Sequence, residues 1–200
     1  MIELTNNNKF ISDNRLSSMS FTIPRTVTLW YGNYIKKDVL HNLTIALKNA
    51  DKEMSHKTYV RGGMTGWQSF VHNKDFSMFF TETMNKISPV FFPTFKLSTD
   101  LHVQDAWGNI LKKGELVEAH THDTYHGILY LTKGNPLIFP ELEMSFNPNP
   151  GDWIISPPEV LHGVNAVEEE KEERMNIVFN FRFNSNFRDV NSRYELKKNS

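Results

Sequence analysis

The chain has 200 residues and no cysteine. That absence removes disulfides, thiolate metal sites and thiol nucleophiles together, and it fits a reducing interior. Any metal must then be held by nitrogen and oxygen. A charge excess is also missing: 22 lysines and arginines face 23 acids, for a formal net charge of −1. No global field recruits nucleic acid or an anionic membrane. No apolar run approaches the roughly 20 residues of a membrane span, and Met1 to Asn8 lacks the basic-then-apolar grammar of a signal peptide. The expectation is a soluble, cytoplasmic protein. Nucleophile elbow, phosphate loop, nucleic-acid module and internal repeat are absent as well.

What is present suffices for one core, with 39% hydrophobic and 12% aromatic residues. Residues 1–20 are polar and rich in Asn and Ser, and read as a loose arm or edge strand. Residues 21–184 read as a single domain and 185–200 as a polar tail. Aromatic and β-branched residues from Phe21 to Tyr34 suggest a strand, interrupted or edged by Pro24. Val39, Leu43, Leu47 and Ala50 recur at helical spacing over 36–50. Phe76, Phe79, Phe80, Met84 and Ile87 do so over 74–87, where Ser88-Pro89 predicts the stop. The aromatic stripe is read as core.

After Pro93 the pattern changes to short strands separated by turns. Strands are expected at Leu97–Val103, Asp105–Leu111, Val117–His122, Gly127–Leu131, Leu137–Phe139, Trp153–Ser156 and Met175–Phe183. Turns are expected at Lys113-Gly114, Lys133–Pro136 and Asn147–Gly151. Glu168–Glu173 reads as a solvated loop. Two helices followed by seven strands predict an α+β chain built on a β-sandwich or jelly roll.

Four histidines stand out within that grammar: His120, His122 and His126, then His162. Imidazole is the commonest metal ligand, and residues i and i+2 of a strand share a face. His120, His122 and His162 are therefore the candidate ligands, with iron, manganese, zinc, nickel or copper compatible. His126 has no assigned role, and His41, His56, His72 and His102 are read as surface or core residues. In Arg174–Phe183, Met175, Ile177, Phe179, Phe181 and Phe183 alternate with Arg174, Asn176, Val178, Asn180 and Arg182. The polar face meets solvent or lines the sandwich; in the second case Arg174 and Asn176 look into the metal cup.

Gly114-x5-His120-x-His122 and Gly151-x5-Pro157-x4-His162 resemble the two motifs of the cupin and oxygenase double-stranded β-helix. Trp107-Gly108-Asn109, His120-Thr121-His122, Gly127–Leu131, Pro150-Gly151-Asp152, Leu161–Val164, Arg174 and Phe179-Asn180 resemble, more narrowly, the 2-oxoglutarate/Fe(II)-dependent oxygenases common in marine bacteria and phages. Thr65–Ser69 resembles that group's upstream segment. The resemblance implies a jelly-roll core with two N-terminal helices packed on it. It also implies Fe(II) and 2-oxoglutarate as cofactors, O2 as co-substrate, and hydroxylation of a substrate the sequence does not name. His120, His122 and His162 would be the metal ligands and the catalytic centre. Arg174 would anchor the far carboxylate of 2-oxoglutarate through its bidentate fork, with Tyr130, Asn109 and Asn176 adding hydrogen bonds. Most such enzymes have Asp or Glu where this chain has His122. Iron held by His120, His122 and His162, entry of Asp123 as the acid, or a site that has drifted and is inactive are the alternatives. Two rival functions remain open: a cupin dioxygenase or isomerase that uses metal without 2-oxoglutarate, and a non-enzymatic jelly-roll binding or phage-associated protein.

Overall fold

A computed structural model describes residues 10–13, 16–19, 27–50, 58–91, 101–166 and 173–183. Residues 1–9, most of the acidic run, the 185–200 tail and most of Phe21–Leu29 lie outside them. The first element is an antiparallel hairpin of β1 (Phe10–Asp13) and β2 (Leu16–Met19). There follow β3 (Trp30–Asn33), α1 (Lys37–Asn49), β4 (Val60–Arg61), β5 (Gly63–Met64) and α2 (Lys74–Phe91). The β-rich part comprises β6 (Leu101–Leu111), β7 (Leu116–His120), β8 (Tyr125–Tyr130), β9 (Leu137–Phe139), β10 (Met144–Phe146), β11 (Asp152–Ser156), β12 (His162–Val164) and β13 (Arg174–Phe183).

Two antiparallel sheets result, a six-stranded one in the order β3-β11-β8-β13-β6-β5 and a five-stranded one in the order β10-β9-β12-β7-β4. From β6 to β13 the chain passes repeatedly from one sheet to the other, so each sheet is assembled from segments distant in sequence. Side-chain alternation then assigns two cores. On the outer face of the larger sheet Met175, Ile177, Phe179, Phe181, Leu129 and Ile155 pack against Val39, Leu43 and Leu47 of α1 and Phe76, Phe79 and Met84 of α2. On its inner face Trp107, Ile128, Tyr130, Ile154 and Val178 meet Leu137, Phe139 and Val164 of the smaller sheet. Both helical stripes therefore bury where their spacing indicates. Asn73 starts α2 by accepting the backbone N–H groups of Asp75 and Phe76 at 3.0 and 3.1 Å.

Several boundaries differ from expectation. α2 continues through Pro89 to Phe91, past the stop expected at Ser88-Pro89. The two strands expected around residue 104 are one strand, β6, with a bulge: Asp105 pairs Asn180 and Val103 pairs Phe181, leaving Gln104 between them. β7 stops at His120, two residues short of expectation. β4, β5, β10 and β12 went unanticipated, being only two or three residues long. Gly114 and Gly151 hold positive φ of 81° and 88°, and at Gly151 a Cβ would stand 2.5 Å from the Tyr34 carbonyl oxygen.

Candidate metal centre

His120 ends β7 and His162 opens β12, and the two are directly paired across the antiparallel ladder. The backbones approach closely here; a Cβ on Gly163 would sit 2.9 Å from the Val117 carbonyl oxygen. His122 lies beyond the strand, its backbone N–H donating to the Pro158 carbonyl at 3.0 Å. These three side chains bring one ligating nitrogen each to within 4.8 Å of one another. His120 Nδ1 lies 2.8 Å from the Glu118 carbonyl oxygen and His162 Nδ1 2.9 Å from that of Val160. A carbonyl can only accept, so each Nδ1 carries the proton and each Nε2 keeps its lone pair. His122 Nε2 is buried with no hydrogen-bond partner. Three neutral, converging imidazoles, one with an orphaned nitrogen, fit a transition-metal ion.

Electrostatics agrees with that donor set. Burial pushes His122 down to about 3, reinforced by the neighbouring His162 and His120. It pushes His162 down to about 4, partly opposed by the Val160 hydrogen bond, and His120 is lowered in the same way. Asp123 is exposed and is not one of the three converging residues. It lines the larger cavity described below. His41, His72 and His102 are exposed and apart; His56 lies outside the described residues.

The polar face of β13 lines the sandwich. Arg174 is only 1% exposed, as is Asn176. Arg174 Nε donates to the Asn135 carbonyl at 3.1 Å, and its guanidinium carbon lies 5.1 Å from the centre of the Tyr130 ring. Gly134 makes room for its stem, since a Cβ there would stand 2.6 Å from Arg174 Cγ. A narrow cleft of about 30 Å³ joins Arg174, Asn109 and Asn176 to His120, His126 and His162, and no acidic residue lines it. One guanidinium nitrogen of Arg174, the Tyr130 hydroxyl, the side-chain oxygens of Asn109 and Asn176 and the Trp107 indole nitrogen are all buried without a partner. Burial lowers the Arg174 pKa, opposed by Tyr130, and raises the Tyr130 hydroxyl to about 12. The hydroxyl stays protonated and able to donate. Arg174 is thus a buried cation with no acidic side chain in the cleft to balance it, and an uncompensated buried charge costs several kcal/mol.

A second cavity, about 620 Å³, opens on the other side of the histidines. Its lining includes Tyr59, Trp67, Gln104, Asp105, Asn180 and Arg182. Tyr59, half-exposed, stacks on His120 with ring centres 4.5 Å apart. Trp67 is held edge-on by Trp107 at 4.6 Å, while the backbone of its segment is strapped to β6 through Ala106 N–H to Trp67 O at 2.9 Å. Sequence reasoning missed Tyr59, Gly134, Asn135 and Asp105. Only Trp67 had a signal, through the Thr65–Ser69 segment.

No protein-family model matches the chain, and no curated protein matches it by sequence. Solved structures do match it in shape. A viral collagen prolyl hydroxylase from Paramecium bursaria chlorella virus-1, in complex with 2-oxoglutarate, aligns with a TM-score of 0.56 at 14% identity, covering 77% of this chain and 95% of that one. A prolyl-4-hydroxylase from Pseudomonas putida aligns with a TM-score of 0.59 at 15% identity, covering 78% and 93%. HygX from Streptomyces hygroscopicus, with nickel, 2-oxoglutarate and hygromycin B bound, aligns with a TM-score of 0.60 at 10% identity, covering 78% and 83%. At these identities the likeness is one of fold.

Proposed function

We propose that this protein is an Fe(II)- and 2-oxoglutarate-dependent oxygenase with a double-stranded β-helix core, and that it hydroxylates a substrate held in the larger cavity. The observation that carries this reading is the buried, acid-free Arg174 at the far end of a cleft that begins at three converging imidazoles. A ligand suited to both ends needs a metal-chelating head and a distal carboxylate, which is the chemistry of 2-oxoglutarate. The alternating passage of the chain between two sheets, and the likeness to oxygenases of that fold, support the same reading.

His120, His122 and His162 would hold the metal through three positions and leave the others open to co-substrate and O2. When bound, iron and 2-oxoglutarate supply the oxidising chemistry: O2 is consumed, 2-oxoglutarate becomes succinate and CO2, and a substrate C–H becomes C–OH. Arg174 would pair with the distal carboxylate, and the protonated Tyr130 hydroxyl would donate to it. The amide groups of Asn109 and Asn176 supply polar walls for the chain between. At about 30 Å³ the cleft has roughly one water's space, so it would have to widen to admit the co-substrate. Tyr59, stacked on His120, and Trp67, held by Trp107, would form part of the wall of the substrate cavity.

The test is succinate release from 2-oxoglutarate by iron-loaded protein under O2. Succinate formation that disappears in His162→Ala supports the proposal. Full iron occupancy with no 2-oxoglutarate consumption, across added candidate substrates, contradicts it and favours a metal enzyme that works without the co-substrate.

A further inference from the structure

His126 is the fourth member of the histidine cluster, and the three-ligand set leaves it without a task. It lies on β8 in the larger sheet, facing the smaller sheet that carries His120 and His162. It is only 4% exposed. Its ring stacks face to face on His122, with centres 3.8 Å apart and planes 15° from parallel, and it stands 4.7 Å from the His162 ring. His122 is the ligand that needs such support. Carbonyls two residues upstream fix the His120 and His162 rings, whereas among the described residues no backbone carbonyl holds the His122 ring. It also lies past the end of its strand.

His126 is itself tied down from the cavity side. Asn180 Nδ2 donates to Asp105 Oδ2 at 3.4 Å, and a carboxylate only accepts. The amide oxygen of Asn180 is thereby turned to His126, whose Nδ1 lies 3.3 Å from it and must carry the proton. Gln68 Nε2 donates to the other oxygen of Asp105 at 2.8 Å. A chain of polar groups thus runs from Gln68 through Asp105 and Asn180 to an imidazole lying flat on His122, and the face-to-face contact at 3.8 Å limits how far either ring can turn.

We propose that His126 is a positioning residue for the metal centre: it does not ligate, but fixes the plane of His122 by stacking and is held in place by Asn180 and Asp105. This inference rests on the metal-binding reading of His120, His122 and His162. His126 also lines the narrow cleft that leads to Arg174.

The experiment is titration of metal-free protein with Co(II), reading both Kd and the visible Co(II) spectrum, with a thermal melt of each metal-free variant as the folding check. Removal of a group that orients a ligand lowers metal affinity by about 10- to 100-fold. His126→Ala is expected to weaken Co(II) in that range and to shift the spectrum. His126→Phe, which keeps a buried ring on His122, is expected to lose less. Asn180→Leu is expected to weaken Co(II) in the parent and to add nothing in the His126→Phe background, because the bond it removes is already gone. Parental Kd and spectrum in a folded His126→Ala would reduce the residue to packing. Loss as complete as in His162→Ala would make it a ligand. An equal effect of Asn180→Leu in both backgrounds would break the proposed chain; each of these three results overturns the inference. If parent and His162→Ala alike fail to bind Co(II), the metal reading itself has failed, which the titration distinguishes from a failure of His126 alone.

Discussion

At the scale of the residue, Arg174 and the histidines face opposite electrostatic demands. Arg174 is a cation enclosed without an acidic partner, and replacing such a charge by an apolar side chain of similar volume is often neutral or stabilising by about 1–4 kcal/mol. Arg174→Met should therefore leave the thermal midpoint of the ligand-free protein unchanged or higher, while weakening 2-oxoglutarate binding by about 100-fold, a scale consistent with losing a charge-assisted bidentate pair. A large fall in the midpoint would show that the arginine is structural. The imidazoles are held neutral instead. His122 and His162 titrate at about 3 and about 4 in the folded metal-free protein, against an ordinary value of 6.5 when unfolded. As pH falls from 7.5 to 5 the unfolded chain takes up protons at these positions and the folded one does not, so stability rises with pH across this window and is lost on acidification. The urea midpoint of metal-free protein should drop between pH 7.5 and 5.0, and His122→Asn with His162→Gln should flatten that drop. Equal midpoints at the two pH values in the parent would show that the cluster is solvated.

At the scale of the element, alternation was legible and register was not. The polar and apolar faces of Arg174–Phe183 stand in the sequence, and the pairing of Asn176 with Asn109 and Tyr130 turns that pattern into a cluster. The bulge at Gln104 depends on how β6 slides against β13, which no local pattern records. His122 reads as a strand residue because it is two positions from His120, yet β7 ends first and the Pro158 carbonyl captures the His122 backbone. The short β12 could be placed only through His162 itself. Packing between elements also makes one glycine of β8 indispensable: a Cβ on Gly127 would lie 2.1 Å from Phe179 Cζ, and that ring is wedged among Phe76, Phe79 and Phe80. Gly127→Ala should lower the unfolding free energy by about 1–3 kcal/mol, the usual cost of overfilling a packed core. An unchanged denaturation midpoint would mean that α2 gives way easily.

At the scale of the molecule, an outer core of helices on one sheet leaves the inner face free to be polar at one end, and this division puts the converging histidines and the arginine in one interior. The two helical stripes and the alternation of Arg174–Phe183 are legible in the sequence, whereas the division into two cores follows from how the sheets pair. The cavity wall of Tyr59, Trp67 and Asp105 did not announce itself, because it is assembled from loops and a strand end with no shared periodicity. Among the described residues, no helix is long and apolar enough to cross a membrane. The central claim is that a single interior holds a metal at one end and a dicarboxylate at the other. Anaerobic titration of Fe(II)-loaded protein with 2-oxoglutarate, followed by visible absorbance, tests it most directly. A saturable one-to-one change in the metal spectrum that vanishes in Arg174→Met is the predicted result. An iron spectrum indifferent to 2-oxoglutarate, or a response that Arg174→Met leaves intact, would contradict it.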